Sequence, residues 1–508
     1  MVQLHSLEDG VITATLTRKY EFGYRNGLSL VPRCGRYQFE TDGPGFLSVL
    51  GPRHDNDYEH IRDIKILPTA DECLCIFRAP WMPEKNWAAA HHLPPGCSRH
   101  VDTHFRMLRH DAIEKIRDIN YKAAQEAFLP STVAEDLNNL DYIETAAGNR
   151  FFLYHNLKVE DVVSDEFNGL MLRMSFDCPA VLQRDKLVRS NRLEHGMLCA
   201  LLCLDHGTRE LSIYYFNVHQ KQKTYALVSR YGDHKRAAVQ LALLPDSNRE
   251  EASAAMSIAT SRKQEVSMAL VEYPKLLYAG FANILHCLQE MSGNSYAFAK
   301  YISPGQDMDQ AIHDRMLSVD VPSYSRRPDF AFDLRPLTGR SDSLFDLQDL
   351  NDGGIARSLH HLAQHTTLDV GQARALLLSL NHEFAFIQGP PGCGKTYLGI
   401  ALARVLLASR PAESKKPLLI VCRTNHALDS FLAGLRDAGV SGLLRVGGAS
   451  REEWTTAINL RAVSRKQARN RATNGDLRSL DKQQNLNFGH LEAWCKGLTQ
   501  EGLNKFPC

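Results

Sequence analysis

An excess of charge of one sign is the first thing this sequence lacks. Its 59 basic and 58 acidic residues leave a formal net charge of +1 over 508 residues. No overall field therefore draws the chain to nucleic acid, and any such surface must be local. No run of about 18 apolar residues occurs, which excludes a membrane-spanning helix. The opening "MVQLHSLEDG" has no basic-then-apolar leader. Internal repeats and long low-complexity runs are missing too. What remains is ordinary for a globular protein: 44% hydrophobic and 23% charged residues, enough chain for about two to four domains. The twelve cysteines are scattered rather than paired in a framework. That pattern implies reduced thiols and an intracellular protein, nuclear or cytoplasmic without distinction.

Patterning divides the chain into six stretches. Residues 1–95 mix short strand-like pieces ("GVITATL", "DIKILPT", "ECLCIF") with Gly and Pro breaks, an N-terminal α+β segment. Residues 96–150 form a helical segment. In "DTHFRMLRHDAIEKIRD", Phe105, Leu108, Ala112 and Ile116 recur at steps of three and four, with Asp102 or Thr103 as cap. Residues 151–250 read as a small β-barrel-like domain, from "NLKVEDVV", "GLMLRMSF", "GMLCALLCLD" and "LSIYYFNV". Residues 251–345 read as a helical stalk and linker, with Leu277, Phe281, Ile284 and Leu288 on one face and Pro274 in the first turn. In residues 346–464, strand patterns ("EFAFIQ", "PLLIVC", "GLLRVGG") alternate with helices, which predicts an α/β lobe with a parallel sheet. Residues 465–508 are a polar tail without pattern.

One motif carries chemistry. Gly389, Pro390, Pro391, Gly392, Cys393, Gly394, Lys395 and Thr396 match G-x-x-x-x-G-K-[ST], with an apolar strand pattern before and an amphipathic helix after. Glycines let backbone N–H groups turn inward around phosphates, and the helix N-terminus adds partial positive charge there. Lys395 is expected on the β- and γ-phosphates and the Thr396 hydroxyl on Mg²⁺. Together they are the candidate catalytic residues, with ATP and Mg²⁺ as the implied ligands. Upstream, in "TTLDVGQARALLLSL", Gln372 opens a helix, and its amide can read an adenine edge. Downstream, Thr424, Asn425 and His426 stand at the carboxyl end of the second strand pattern. There they either grip nucleic-acid phosphates or cap the next helix, and both uses can coexist.

These segments resemble a known family. Gly389–Thr396, "TNHALDSFL", "LLRVGGASREEWTTAINLR" and "TTLDVGQARAL" are similar to superfamily 1 helicases of the Upf-like branch. More narrowly, they resemble the NFX-type zinc-finger-containing RNA helicases associated with RNA silencing. "DIKILPTADE", "VEYPKLLYAGFANILHCLQ" and other pieces extend the likeness, patchily, over residues 60–464. The resemblance implies a RecA-like lobe carrying a barrel and stalk, ATP-driven work on single-stranded RNA, and silencing complexes as partners. It also exposes departures. Cys393 replaces the family's usual Thr, Arg423 and Ser430 are unusual, and no apolar strand ending in Asp-Glu follows the loop. "LLCLD" at Leu201–Asp205 lies upstream and reads as structure. The second lobe and the zinc fingers are not found. The expectation is thus either a motor of this family, truncated in the sequence, or a module that binds ATP and RNA without turnover.

Two weaker patterns stay open. His92, Cys97, His100 and His104 have zinc-like spacing, although the helix pattern explains the same segment. Arg461–Lys482 holds seven basic and two acidic residues, either a phosphate contact or a solvated face. Cys73, Cys75, Cys199 and Cys203 read as strand residues without metal. Asp369, Asp429 and Glu453 are carboxylates near the motor with no sign of replacing an acidic pair.

Overall fold

The computed structural model describes four short strands before residue 31, then residues 43–76, 78–84, 91–128, 142–165, 169–177, 190–222, 236–245, 266–291, 296–303, 319–327, 330–341, 344–346, 352–411 and 416–466, with 449 and 451 excepted and 247, 253 and 414 added. They fall into two compact units divided between Ala297 and Phe298. Beyond Lys466 the polar tail lies outside the described residues.

In the first unit, β1 (Val2–Leu4) pairs with β2 (Ala14–Leu16) and β3 (Tyr20–Glu21) with β4 (Ser29–Leu30), both antiparallel. The "ECLCIF" segment is not the strand its composition predicts. It starts with helix α1 (Ala70–Leu74), capped by Thr69, whose hydroxyl accepts from the Glu72 N–H at 3.1 Å. "DIKILPT" is likewise a short 3-10 turn and loop rather than a strand. Helix α2 (Cys97–Glu126) is longer than predicted and starts after Gly96, so Asp102 and Thr103 lie inside it rather than capping it. Its buried stripe is Phe105, Ile113, Ile116, Ile119 and Ala123. Leu108, expected on that face, is 44% exposed.

The unit is built on one antiparallel sheet of eight strands: β5 (Ile143–Glu144), β6 (Arg150–Tyr154), β7 (Lys158–Asp165), β8 (Gly169–Asp177), β9 (Met197–Asp205), β10 (Leu211–Gln222), β11 (Arg236–Leu243) and β12 (Val266–Leu277). The order is β5-β6-β12-β9-β10-β11-β8-β7, so the barrel-like reading becomes a sheet ending in two edges among the described residues. The run "MLCALLCL" has its cause here. β9 is central, with Leu201 opposite Leu270 on one side and Tyr214 on the other. Leu198, Ala200 and Leu202 enter one core with α2, while Cys199, Leu201 and Cys203 enter a second core on the opposite face. A strand buried on both faces has no polar positions to alternate with.

The segment predicted as a stalk helix is divided. Pro274 and Leu277 belong to β12, and only α3 (Ala282–Glu290) is helical. Pro274, which has no N–H to give a ladder, falls where the β12–β9 register shifts between Glu272 and Leu277. Ile284 is 57% exposed, whereas Leu285 is buried.

In the second unit, β13 (Ala331–Asp333) and β14 (Leu344–Asp346) form an antiparallel pair. Four longer helices follow, α4 (Asp352–His365), α5 (Val370–Asn381), α6 (Lys395–Ala408) and α7 (Asn425–Asp437), and then two short ones, Thr455–Ile458 and Leu460–Lys466. Phe332, Leu362, Leu376, Leu380, Leu398 and Val405 make their core. The predicted parallel sheet is not formed among the described residues. "EFAFIQ", "PLLIVC" and "GLLRVGG" carry no strand ladder, and Arg445 makes only an isolated parallel bridge with Asn459. Strand propensity is half of a strand; the other half is a neighbour to pair with, and apart from the single Arg445 bridge these three have none among the described residues. Their side chains show it: Phe386 is 85%, Leu419 82%, Val421 82% and Val446 64% exposed.

Candidate functional site

The glycine-rich loop joins an apolar segment to α6, as its motif requires. Gly392 and Gly394 both have φ +82°, and Gly394 immediately precedes the first helical residue, Lys395. A Cβ on Gly394 would come within 2.6 Å of Gln372 Nε2, and one on Gly389 within 2.5 Å of Cys393 Sγ. The left-handed backbone at Gly394 favours glycine, whereas at Gly389 a Cβ would require the Cys393 side chain to swing away. Lys395 Nζ donates to the carbonyls of Gly389 (2.8 Å) and Pro390 (2.7 Å) and lies 3.7 Å from Cys393 Sγ. An exposed ammonium folded onto its own loop is a cation ready to exchange carbonyl oxygens for phosphate oxygens. Thr396 and Cys393 are exposed at the same helix start. The donor set fits a triphosphate and its magnesium: open N–H groups, a lysine and a hydroxyl.

Gln372 is held against this loop. Asp369 Oδ1 accepts from the Gln372 N–H (2.8 Å), Gln372 Oε1 accepts from the Asp369 N–H (3.2 Å), and together they cap α5. The remaining amide group, Nε2, donates to the Cys393 carbonyl at 3.2 Å. The structure thus brings Gln372 to the glycine-rich loop, and each end of its amide is engaged, at the loop and at the α5 cap. Tyr397 and Thr367 add a hydroxyl–hydroxyl bond between α6 and the segment before α5.

At the start of α7, Thr424 is the cap, its hydroxyl accepting from the Ala427 N–H at 3.2 Å. Thr424, Asn425 and His426 are all exposed. Helix α7 lies close to α6 because glycines stand at the crossing. A Cβ on Gly434 would meet Ile400 Cδ1 at 2.3 Å, and one on Gly399 would meet Phe431 at 2.9 Å.

One part of this region goes beyond the motif residues. Arg445, 1% exposed, donates from Nε to Asp429 Oδ1 (2.7 Å), from Nη1 to the Gly448 carbonyl (2.7 Å) and from Nη2 to Asn425 Oδ1 (3.0 Å). Ser450 donates to the other Asp429 oxygen at 2.6 Å. Burial works to raise the Asp429 pKa, but the Ser450 and Arg445 bonds outweigh it and hold the carboxyl below its usual range. An arginine inside the apolar run "GLLRVGG" was the available signal, since a cation there needs a buried partner.

The zinc-like set is not assembled: His92, Cys97, His100 and His104 do not converge. The one convergent group of three among the described residues is His91, His92 and Asp102. His91 Nδ1 accepts from the Leu93 N–H (2.9 Å), so in the neutral ring the proton sits on Nε2, 3.4 Å from Asp102. Arg106 bonds the same Asp102 oxygen at 2.9 Å. A protonated nitrogen and a guanidinium at the carboxylate do not fit a metal. Cys73, Cys199 and Cys203 are buried thiols, with burial pushing Cys73 and Cys203 up to about 12. Cys73 and Cys75 lie at the helical α1 and its cap rather than on a strand. No helix among the described residues is long and apolar enough to cross a membrane.

Comparison with known proteins places these motifs. A family model described as an AAA domain matches residues 367–491. The human NFX1-type zinc finger-containing protein 1 is 24% identical over 442 residues, 82% of this chain and 20% of that protein. The fission yeast (Schizosaccharomyces pombe) helicase required for RNAi-mediated heterochromatin assembly 1 is 32% identical over 93 residues, 18% of this chain and 9% of that protein. The ATP-dependent helicase upf1 of the same yeast is 29% identical over 117 residues, 23% of this chain and 12% of that protein. The chain thus spans about a fifth of the length of the human relative.

Proposed function

Because this chain belongs to the family of NFX-type zinc-finger-containing helicases of the Upf-like superfamily 1 branch, we propose that it binds ATP at the glycine-rich loop and single-stranded RNA at the start of α7, as part of an ATP-driven RNA helicase. The observation that carries the reading is the loop itself, with Gly392 and Gly394 at φ +82° and exposed Lys395 and Thr396 opening α6.

In this reading the N–H groups of Gly392 and Gly394 cradle the phosphates and Lys395 leaves its loop carbonyls to neutralise the β- and γ-oxygens. Thr396 would hold Mg²⁺, which supplies further neutralisation of the phosphate charge. Gln372 fixes the loop to α5 through the Cys393 carbonyl and faces the adenine side. The N–H groups of Asn425 and His426, in the first turn of α7, meet RNA phosphates. A role in RNA silencing or surveillance rests on the family likeness.

A second reading is favoured by the carboxylates. Asp369 is committed to the α5 cap and Asp429 to Arg445 and Ser450, so neither is placed to hold metal or orient water. These residues would then bind ATP and RNA without turning over. Hydrolysis of ATP by the purified chain, with and without RNA and against Lys395→Ala, separates the two. Turnover that rises with RNA and vanishes in the variant supports the motor. Nucleotide binding without turnover supports the module, and no nucleotide binding at all refutes both.

A further inference from the structure

We propose that Arg445 is a positioning residue for nucleic-acid binding: it locks the Asn425 side-chain amide so that its NH₂ group faces outward as a phosphate donor at the start of α7. The proposal rests on the RNA reading above and adds a device to it.

The orientation follows from the chemistry of the guanidinium. A guanidinium carries five N–H donors and no acceptor, so the atom of Asn425 that meets Nη2 at 3.0 Å must be the carbonyl oxygen. The NH₂ group then points the other way. Asn425 is exposed, and its Nδ2 donates to no group among the described residues. Next to it, the first-turn N–H groups of Asn425 and His426 are open. The Ala427 and Leu428 N–H groups are taken by the Thr424 hydroxyl and carbonyl. A cluster of outward donors with no acceptor among them suits an anion that presents several oxygens.

Arg445 can do this because it is itself immobilised. Asp429 and the Gly448 carbonyl hold its other two nitrogens, and Ser450 holds Asp429. Its backbone is pinned as well, with its N–H donating to Ile458 (2.8 Å) and its carbonyl accepting from Leu460 (2.9 Å). The loop must also pass close. Gly447 has φ +155°, and a Cβ there would stand 3.2 Å from Asn425 Oδ1 and 3.5 Å from Arg445 Nη1. Lysine has one nitrogen on a flexible stem and cannot reach all three acceptors in one plane.

The test uses the full chain and a fluorescein-labelled oligouridine of about 12 nucleotides, a length that single-stranded sites cover, with affinity measured across a salt series. Arg445→Lys keeps a cation beside Asp429 and is expected to retain its thermal midpoint within a few degrees. Its RNA affinity is expected to fall about tenfold with the salt slope unchanged, because the lost contact is a neutral amide donor and no cation is removed from a phosphate. Asn425→Asp keeps an acceptor for Arg445 but turns the donor into a repelling carboxylate. It is expected to lose at least as much, and the two changes together no more than Asn425→Asp alone. Should Arg445→Lys unfold, Arg445→Met with Asp429→Leu removes the pair without leaving a buried charge and is judged by the same two readouts. Unchanged affinity in a folded Arg445 variant, with Asn425→Asp still impaired, overturns the positioning role and leaves the RNA reading standing. Absence of oligouridine binding by the unaltered chain overturns the RNA reading and this proposal with it.

Discussion

Replacing Arg109 by methionine should unsettle the first unit far more than a surface substitution could. Arg109 grips Glu72 with two parallel bonds, Nη1 to Oε1 (2.9 Å) and Nη2 to Oε2 (2.8 Å), and gives Nε to the Lys65 carbonyl (2.8 Å). The Glu72 side chain is 2% exposed. Burial works to raise the Glu72 pKa, yet the charge and hydrogen bonds of Arg109, together with the nearby His54 and Arg117 charges, outweigh it and hold the carboxyl far below its ordinary value of 4.5. Without Arg109 the carboxylate keeps the Asn56 amide (2.9 Å) and His54, whose ring nitrogen is 4.0 Å away. Stranding one charge of a buried pair costs about 3–5 kcal/mol. At about 2–4 °C per kcal/mol for a unit of this size, the midpoint falls by about 6–20 °C. Differential scanning calorimetry of the full chain reads it, and added nucleotide, on the proposed function a ligand of the other unit, identifies which transition moved. Acid gives a second check on sign. In the unaltered chain the depressed pKa contributes stability that is complete above about pH 4.5 and is lost as pH falls below it. In Arg109→Met the stranded Glu72 takes up a proton more readily folded than unfolded, so the deficit should narrow on acidification. Converting Glu72 to leucine as well should recover most of the loss. A single variant within about 1 kcal/mol of the unaltered chain, or a deficit that widens in acid, would refute the reasoning.

Other outcomes follow from the same contacts. Lys395→Ala should weaken nucleotide binding about 10- to 100-fold, the value of about 1.5–3 kcal/mol for a charged hydrogen bond, as read by displacement of a fluorescent nucleotide. Gly394→Ala, forced to φ +82° with its Cβ against Gln372, should cost about 1–2 kcal/mol and depress nucleotide binding in the same assay. Tyr154→Phe removes a 2.6 Å donor from the fully buried Glu72-like carboxylate of Glu272, which should cost about 1–3 kcal/mol by chemical denaturation. His92 has its pKa lowered to about 4, chiefly by burial, against an ordinary 6.5. The unfolded chain therefore takes that proton first, and stability should fall as pH drops from about 6.5 towards 4. His92→Phe should flatten that limb of the pH–stability curve.

Much of this was legible in the sequence, for identifiable reasons. The glycine-rich loop and the helices α6 and α7 are local features, since their glycines, cap and apolar spacing act within a few residues. β7 to β10 were legible because β-branched and apolar runs lay between turn residues. Where reading failed, the deciding contact was distant. "VEYPKLL" has a helix-compatible spacing, yet Leu270 pairs with Tyr154 and Leu201, far off in the chain, and makes β12 a strand. "ECLCIF" alternates like a strand, but the Thr69 cap and the Glu72–Arg109 pair bring it in as a helix. Asn425 could be named from its motif, whereas its tie to Arg445, twenty positions on, could not. Three segments with good strand composition formed no ladder among the described residues because composition supplies no partner.

Those three segments also bear on how the protein must be handled. An apolar strand with unpaired N–H and C=O groups is an adhesive edge: it matches any other extended chain, including a second copy of itself. With Phe386, Leu419 and Val421 each more than four-fifths exposed, the second unit carries such an edge beside its glycine-rich loop. Light scattering should climb with protein concentration, a dye that reports exposed apolar surface should brighten, and a folding chaperone should hold the chain after synthesis. The yield of soluble protein would then be governed by the edge rather than by the well-filled sheet of the first unit.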